Sequence, residues 1–388
     1  MNLSIIIVSY NVKSFLEQCL YSVRKAIGDG KQIPGSGQEA EVIVVDNASS
    51  DGTVDWLQLR FPFVRFISNK ENIGFAKANN QALRNARGQF ILFLNPDTIV
   101  PEYIIDDCIS FFQTHARAGA LGLRMIDGSG KFLPESKRGF PTAWRSFCKL
   151  SGLSALFPGS KLFAGYNLGY LKEDQVQEIE ALAGAFMMVR KEVLQLTGGF
   201  DERFFMYAED IDLSKRIKDA GYENYYLGTQ AILHFKGEST KKDLQYVKLF
   251  YLAMAQYVQK HYTGVGSRFM VGLIKTGIWI RAALASTTAV KQETANSTLR
   301  NVLFKGDQQS ISDLKDKLNR SGKPLNEEPD AENIIYCEGE NFSFTDLIEA
   351  IKKLPPTKKV LVHASGSDSV VGSFNKRQMG TTMTIASS

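Results

Sequence analysis

The sequence predicts an α/β fold, a mostly parallel sheet flanked by helices. Three observations carry that reading. The apolar runs Leu3 to Val8, Val42 to Val45 and Phe90 to Leu94 lack the alternation of a half-exposed strand, so both faces of each are covered. Stretches of helical period separate them. Each run ends abruptly in turn-forming polar residues, Ser9-Tyr10-Asn11, Asp46-Asn47-Ala48 and Asn95-Pro96-Asp97, at the carboxyl ends where open α/β sheets bind ligands.

The elements follow in order. After the first strand, Phe15, Leu16, Cys19, Leu20 and Val23 form the apolar face of a helix. Gly28 to Gly37 reads as a surface loop, Glu41 to Val45 as the second strand and Val64 to Ile67 as a short third. Asn72 to Asn85 enters a helix, and Pro96 closes the strand at Phe90 to Leu94, because proline cannot continue a ladder. From Met125 to Gln177, Gly128, Gly130, Pro134, Pro141, Pro158 and Gly159 break the pattern into loops and short helices. Phe140, Trp144, Phe147, Phe157 and Tyr166 in this stretch read as local core in preference to a sugar or lipid groove. Leu213 and Ile217 mark a helix that stops near Gly221, with Glu209, Asp210 and Asp212 in its first turn. Tyr226 to Leu233 is a strand ending at His234, and Asp243 to Tyr262 is helical in period.

The C-terminal part changes character. Phe269 to Leu284 is strongly apolar but carries Lys275 and Arg281, which suits a helix lying on a membrane, or one packed in a bundle or dimer. No stretch has the length of a clean membrane span. A polar linker, Thr287 to Ser297, precedes Glu332 to Tyr336, Ser343 to Leu354 and Lys359 to His363, a small β-α-β appendage. The Gly366 to Gly372 segment resembles a phosphate loop only faintly, and the Gly-, Ser- and Thr-rich end from Met379 reads as disordered. The expected divisions are 1–240, 241–290, 298–378 and a tail at 379–388.

Composition bounds the function. The chain has 388 residues, a net charge of +5 and 22% charged residues, which fits anionic small ligands without requiring nucleic acid. Cys19, Cys108, Cys148 and Cys337 are far apart and form no C-x-x-C pair, against both a zinc site and a disulfide framework. A reducing cytoplasm fits, and the run at Ile5 to Val8, with no basic region before it, is too short for a signal-peptide core.

Asp97 at a strand end suits a hard divalent cation carrying a phosphate, although Asn-Pro-Asp is also ordinary turn chemistry. Asp46 and Asp51 could bond a base and ribose, yet Ser50, Asp51 and Thr53 are equally the residues that cap a helix. Three acids in four positions at Glu209 to Asp212 exceed what a helix dipole asks for.

Taken together, Ser4 to Asn11, Val44 to Thr53, Asn72-Ile73-Gly74-Phe75-Ala76, Asn95-Pro96-Asp97-Thr98, Leu182 to Arg190 and Gly198 to Leu213 resemble the successive motifs of the family 2 glycosyltransferases, over residues 1 to 240. This version of the motifs is most similar to rhamnosyltransferase-like enzymes of bacterial surface polysaccharide synthesis. The resemblance implies a GT-A (Rossmann-like) sheet and an inverting, metal-dependent transfer from a nucleoside-diphosphate sugar. It places Ser9, Tyr10, Asp46, Asp51, Asn72, Gly74, Asn95, Gly184 and Ala185 against the nucleotide sugar. Asp97 becomes a ligand of manganese or magnesium, and Asp210 the general base with Glu209 beside it. Asn95 stands where the family has the first carboxylate of an Asp-x-Asp pair, and the family's histidine after the later strand, here His234, would complete the coordination. Lys236, Ser239, Thr240 and Lys241 would fold over a diphosphate, or simply be solvated.

The resemblance further implies a dTDP-rhamnose or UDP-sugar donor and a saccharide or lipid-linked saccharide acceptor. The cysteine pattern and the Phe269 to Leu284 segment point to a cytoplasmic protein, peripheral on the membrane face where that segment lies on the bilayer. Two other readings stay open. A sugar-phosphate nucleotidyltransferase would have a glycine-rich loop where this chain has Ser9-Tyr10-Asn11. A non-catalytic nucleotide-binding assembly subunit would use the acids only to cap a helix.

Overall fold

The computed structural model describes residues 2–28, 32–33, 38–235, 244–262, 272, 301–355, 357–372 and 380–385. The segments at 236–243, 263–271 and 273–300 lie outside the described residues, so the expectations for Lys236 to Lys241, for Phe269 to Leu284 and for the linker are not addressed by it.

The first unit runs β1 (Leu3–Ser9), α1 (Lys13–Ala26), β2 (Gln32–Ile33), β3 (Gln38–Asp46), α2 (Thr53–Arg60), β4 (Val64–Ser68), α3 (Phe75–Leu83), β5 (Phe90–Leu94) and β6 (Thr98–Ile99). It continues α4 (Ile104–Thr114), β7 (Ala118–Ile126), α5 (Ala143–Leu150), α6 (Leu153–Leu156), β8 (Val176–Ile179), β9 (Phe186–Arg190), α7 (Lys191–Thr197), α8 (Glu209–Asp219), β10 (Glu223–His234) and α9 (Leu244–His261). The strands order as β2-β3-β1-β5-β9-β7-β10-β6, with β4 added on β3 and β8 on β10. β4, β3, β1 and β5 are parallel to one another; β9 runs antiparallel between β5 and β7, and β10 is parallel to β7.

The unbroken apolar runs are explained by two cores. Leu3, Ile5 and Ile7 of β1 enter the cluster that holds α1 and α4, while Ile6 and Val8 enter the one beneath α3, α7 and α8. A strand with helices on both faces has no side to leave polar. Register then places the chemistry. Ser9 pairs with Asp46, Ile7 with Leu94 and Leu94 with Phe186, so the ends of β1, β3 and β5 and the start of β9 share one edge. His234 pairs with Thr98, and the Phe235 N–H donates to the Asp97 carbonyl at 3.0 Å, which brings the end of β10 to the same edge.

The expected loop at Gly28 to Gly37 contains the short strand β2, and the strand expected at Tyr226 to Leu233 is longer, Glu223 to His234. The aromatics expected as local core divide: Tyr166 is buried and Phe140 half-buried, but Trp144, Phe147 and Phe157 are exposed.

The second unit is larger than a β-α-β appendage. It comprises β11 (Asn301–Gly306), α10 (Gln308–Arg320), β12 (Asn326–Glu327), β13 (Asn333–Cys337), α11 (Phe344–Lys352), β14 (Lys359–His363), β15 (Ser369–Gly372) and β16 (Thr381–Thr384), in a sheet of order β12-β11-β13-β14-β15-β16. The end expected to be disordered supplies β16, whose Thr381 to Thr384 pair antiparallel with β15. β-Branched threonines suit that ladder. Nor is the Gly366 to Gly372 segment a phosphate loop. It packs on α1, where the Gln18 amide donates to Ser367 Oγ and the Ser369 carbonyl, both at 2.9 Å, and its carbonyl accepts from the Ala364 N–H at 2.7 Å. Buried residues of α1, β13, α11 and β14 belong to one continuous apolar cluster.

Candidate active site

At the shared edge lies a cavity of about 310 Å³, bounded by Tyr10, Asn47 and Asn72 on one side and by Asp97, His234, Arg138, Glu209 and Asp210 on the other. Each flank is built by the local sequence.

On the β1 and β3 side, Asn11 and Ala48 adopt left-handed backbone, φ 54° and 68°, which turns both strands sharply at their ends. The Asp46 carboxylate accepts from the Ser49 N–H at 2.9 Å through Oδ2, and its Oδ1 is buried without a partner, as is Ser9 Oγ. Asn47, a residue with no expected role, links the loops: its Nδ2 donates to Asn72 Oδ1 at 2.8 Å, and its Oδ1 accepts from the Ile73 N–H at 3.1 Å. Gly74 is required. Its φ is 86°, and a Cβ there would sit 2.7 Å from the Phe205 ring. Asp51 is placed differently from its expected role against the nucleotide. It accepts from the Lys13 N–H at 2.9 Å and the Thr53 N–H at 3.1 Å, capping α1 and α2, and it does not line the cavity.

On the β5 and β10 side, Asp97 Oδ1 stands 3.3 Å from His234 Nε2, with Asn95 Nδ2 3.5 Å from the same nitrogen. Both Asp97 and His234 are buried, and His234 Nδ1 has no partner. A carboxylate and an imidazole on adjoining strands, with an orphaned ring nitrogen, fit a divalent cation as two protein ligands, the remainder being left to substrate or water. Among the described residues no group of three His, Cys, Asp or Glu side chains gathers to hold a metal by itself. Ala185 fixes the loop, its carbonyl accepting from the Asn95 N–H at 3.0 Å.

The acidic helix start is held in a strained turn. Tyr207 and Ala208, φ 71° and 65°, are consecutive left-handed residues ahead of α8, an arrangement costing of order 1–2 kcal/mol each. It aims Asp210 at the cavity. Asp210 Oδ2 accepts from Arg138 Nη2 at 2.6 Å and from the Gly184 N–H at 3.0 Å; a Cβ on Gly184 would lie 3.4 Å from the Asp210 Cβ, in ordinary van der Waals contact. Arg138 also donates to the Leu182 carbonyl, and its Nε is unpartnered. Burial alone would weaken that guanidinium as a base partner, but Asp210 beside it more than compensates and raises its pKa. Burial and then the adjacent Asp210 push the Glu209 carboxyl up, and Glu209 Oε2 has no partner.

Asp212 belongs elsewhere. Side chains two residues apart on a helix point in nearly opposite directions, and Asp212 Oδ1 meets Lys260 and His261 of α9, each at 2.6 Å, while Oδ2 accepts from Arg216 Nε at 2.8 Å. Burial would raise its pKa, but His261, Arg216 and Lys260 carry it below the usual carboxylate range. Asp201 shares Lys260 at 2.7 Å. Asp212 thus fastens α9 to α8, and Asp201 fastens it to the loop that follows α7. Arg138 was missed from sequence because the segment around it has no periodicity; it and Glu135 both face the cavity.

The family model described as Glycosyl transferase family 2 matches residues 4–194, just under half of the chain, and this stretch is a domain of that family of glycosyltransferases. Among its relatives, an N-acetylglucosaminyl-diphospho-decaprenol L-rhamnosyltransferase of Mycobacterium tuberculosis is 29% identical over 252 residues, 62% of this chain and 78% of that protein. Rhamnosyltransferase WbbL of Escherichia coli strain K12 is 26% identical over 242 residues, 60% of this chain and 82% of the other. Of solved structures, the mannosyltransferase PcManGT from Pyrobaculum calidifontis, in complex with GDP-Man and Mn2+, aligns with a TM-score of 0.45 at 17% identity, covering 74% of this chain and 75% of that one.

Proposed function

We propose that this glycosyltransferase moves rhamnose, from a dTDP-linked donor in preference to a UDP-sugar, onto a saccharide or lipid-linked saccharide in surface polysaccharide synthesis, at the cytoplasmic face of the membrane. The observation that carries a polar, anionic donor is the set of orphaned polar atoms. Of eleven buried side-chain atoms without partners among the described residues, three belong to residues that line this one cavity, Arg138 Nε, Glu209 Oε2 and His234 Nδ1, and two more, Ser9 Oγ and Asp46 Oδ1, to the neighbours in sequence of the lining residues Tyr10 and Asn47. Buried polar atoms are normally satisfied, so such a concentration marks groups kept for a ligand. The rhamnosyltransferase relatives support the choice of sugar.

In this reading Ser9, Asp46, Asn47 and Asn72 hold the nucleoside. Asp97 and His234, with Asn95 alongside, would hold Mn2+ or Mg2+, which when bound offsets charge on the departing diphosphate. The acceptor oxygen attacks the anomeric carbon from the face opposite the diphosphate, the bond to the phosphate oxygen breaks, and the configuration inverts. Asp210 accepts the hydroxyl proton. Arg138 and the Gly184 N–H fix its Oδ2, which orients the carboxylate, while burial and Asp210 itself push the neighbouring Glu209 carboxyl up.

The test is nucleoside diphosphate release from dTDP-, UDP- and GDP-sugars with saccharide and prenyl-linked acceptors, in manganese, magnesium or EDTA. Metal-dependent release from dTDP-rhamnose is expected. Release from a UDP-sugar alone would change the donor, and full activity in EDTA would remove the metal from the assignment.

A further inference from the structure

Residues 136 to 172 contain six cationic residues, Lys137, Arg138, Arg145, Lys149, Lys161 and Lys172, and no aspartate or glutamate, in a chain whose totals are 46 basic and 41 acidic. The segment is an excursion rooted beside the catalytic cavity. At its base the Gly139 N–H donates to the Tyr166 carbonyl at 2.8 Å and the Arg138 N–H to the Ala181 carbonyl at 3.1 Å, next to the Arg138–Asp210 pair. Lys137 is buried there, and Arg145 is paired with Glu180 at 2.8 Å. Lys149, Lys161 and Lys172 are exposed.

The outer part, α5 and α6 with the turn that follows, exposes an apolar surface. Trp144 and Phe147, one helical turn apart, are 46% and 47% exposed; Leu156, Phe157 and Leu162 are 72%, 50% and 59%. These are contiguous. Trp144 lies 5.7 Å from Phe147 and 6.2 Å from Phe163, which lies 5.4 Å from Phe157, between ring centroids. The Trp144 indole N–H donates to the Leu162 carbonyl at 2.9 Å, which satisfies its polar atom and fixes the ring. Single exposed apolar side chains need no explanation, but a continuous aromatic and aliphatic patch marks a docking surface.

Charge identifies the occupant. A self-complementary contact with a second copy would bring the exposed lysines of the two patches together, which like-charge repulsion opposes. From 136 to 172 the exposed charges beside these rings and leucines are lysines alone, Glu173 and Asp174 following directly after Lys172, and aromatic and aliphatic side chains with lysine are the composition of elements that lie at an anionic lipid surface. We propose that the α5–α6 excursion docks this protein on an anionic bilayer, seating Trp144, Phe147, Leu156, Phe157 and Leu162 among the headgroups under a rim of Lys149, Lys161 and Lys172. Docking does not depend on the sugar-transfer reading. Its use for a lipid-linked acceptor does, since the excursion is rooted at Arg138.

The experiment is flotation of the full chain with vesicles of phosphatidylcholine alone or mixed with phosphatidylglycerol. Flotation with the anionic vesicles, weakened by salt, is expected. A Trp144→Ser/Leu156→Ser/Phe157→Ser variant should bind at least about tenfold more weakly, and Lys149→Glu/Lys161→Glu/Lys172→Glu should lose the preference for anionic lipid. All six positions are exposed, so an unchanged circular dichroism melt and nucleotide affinity would confirm folding. Undiminished flotation of the serine variant, or no flotation of the parent, would overturn the proposal. So would a dimer in light scattering that the serine substitutions dissolve, which would give the patch to a second copy. Nucleoside diphosphate release, measured separately with a soluble acceptor, keeps failure of docking distinct from failure of the catalytic reading.

Discussion

The two units place parallel strands in the same way and use the strand ends oppositely. In the first, the ends of β1, β3 and β5 open on a cavity where buried Ser9 Oγ, Asp46 Oδ1 and His234 Nδ1 have no partners. In the second, the acids and the histidine at the corresponding ends are engaged. Asp307 accepts from the Ser310 N–H at 2.9 Å and the Asn341 N–H at 3.0 Å, Glu338 from the Ser365 N–H at 3.0 Å, and His363 Nδ1 lies 3.0 Å from the Ser369 carbonyl. Glu17 and Gln18 of α1 close the remainder against the 364–369 loop. Similar residue types at similar positions therefore make a site when left unsatisfied and a joint when satisfied.

The comparison breaks most sharply at Asp210. Asp210→Asn should lower transfer by about 10³-fold while nucleotide affinity stays within a factor of about two; turnover near that of the parent would return Asp210 to the status of a helix cap. At the joint the largest effect should be one of pH. Burial holds His363 down to about 4, against roughly 6.5 when unfolded. The unfolded chain therefore takes up the proton first, and stability falls as pH drops from about 6.5 to about 4, by at most about 3 kcal/mol. Urea denaturation across that window should show the slope in the parent and a flatter one in His363→Gln. An unchanged slope would mean that other groups carry it.

A smaller effect is expected at the cation pair. His234→Ala should weaken manganese-dependent nucleotide binding about 10–100-fold in a metal titration, and identical titrations would exclude His234 as a ligand. Smallest is Gln18→Leu, which leaves the Ala364 N–H unbonded at the joint and should cost about 1–3 kcal/mol in denaturant. Activity per folded molecule should not change; a selective loss of turnover would mean that the joint reaches the site.

The sheet was legible because apolar runs covered on both faces leave a strong trace, and the site's edge was legible because Asn95, Asp97 and His234 end such runs. Asp212 was grouped with Glu209 and Asp210 because spacing alone does not say which side of α8 faces the cavity; the partners that claim it, Lys260 and His261, come from a distant helix. Arg138 sits where no period predicts direction. The second unit was underestimated although Ile311, Leu314 and Leu318 carry helical spacing in α10, all buried. Its first strand, with Val302 buried but Asn301 and Lys305 exposed, is too short and mixed to stand out.

Glu102 belongs to the first unit, yet its two carboxylate oxygens accept from the Phe344 and Thr345 N–H groups, at 2.7 and 2.9 Å, at the start of α11 in the second. A chimera that exchanges C-terminal units among relatives would thus inherit a helix whose terminal amides were fitted to somebody else's glutamate. Breakpoints for recombination should keep residue 102 and the 343–346 turn from the same parent.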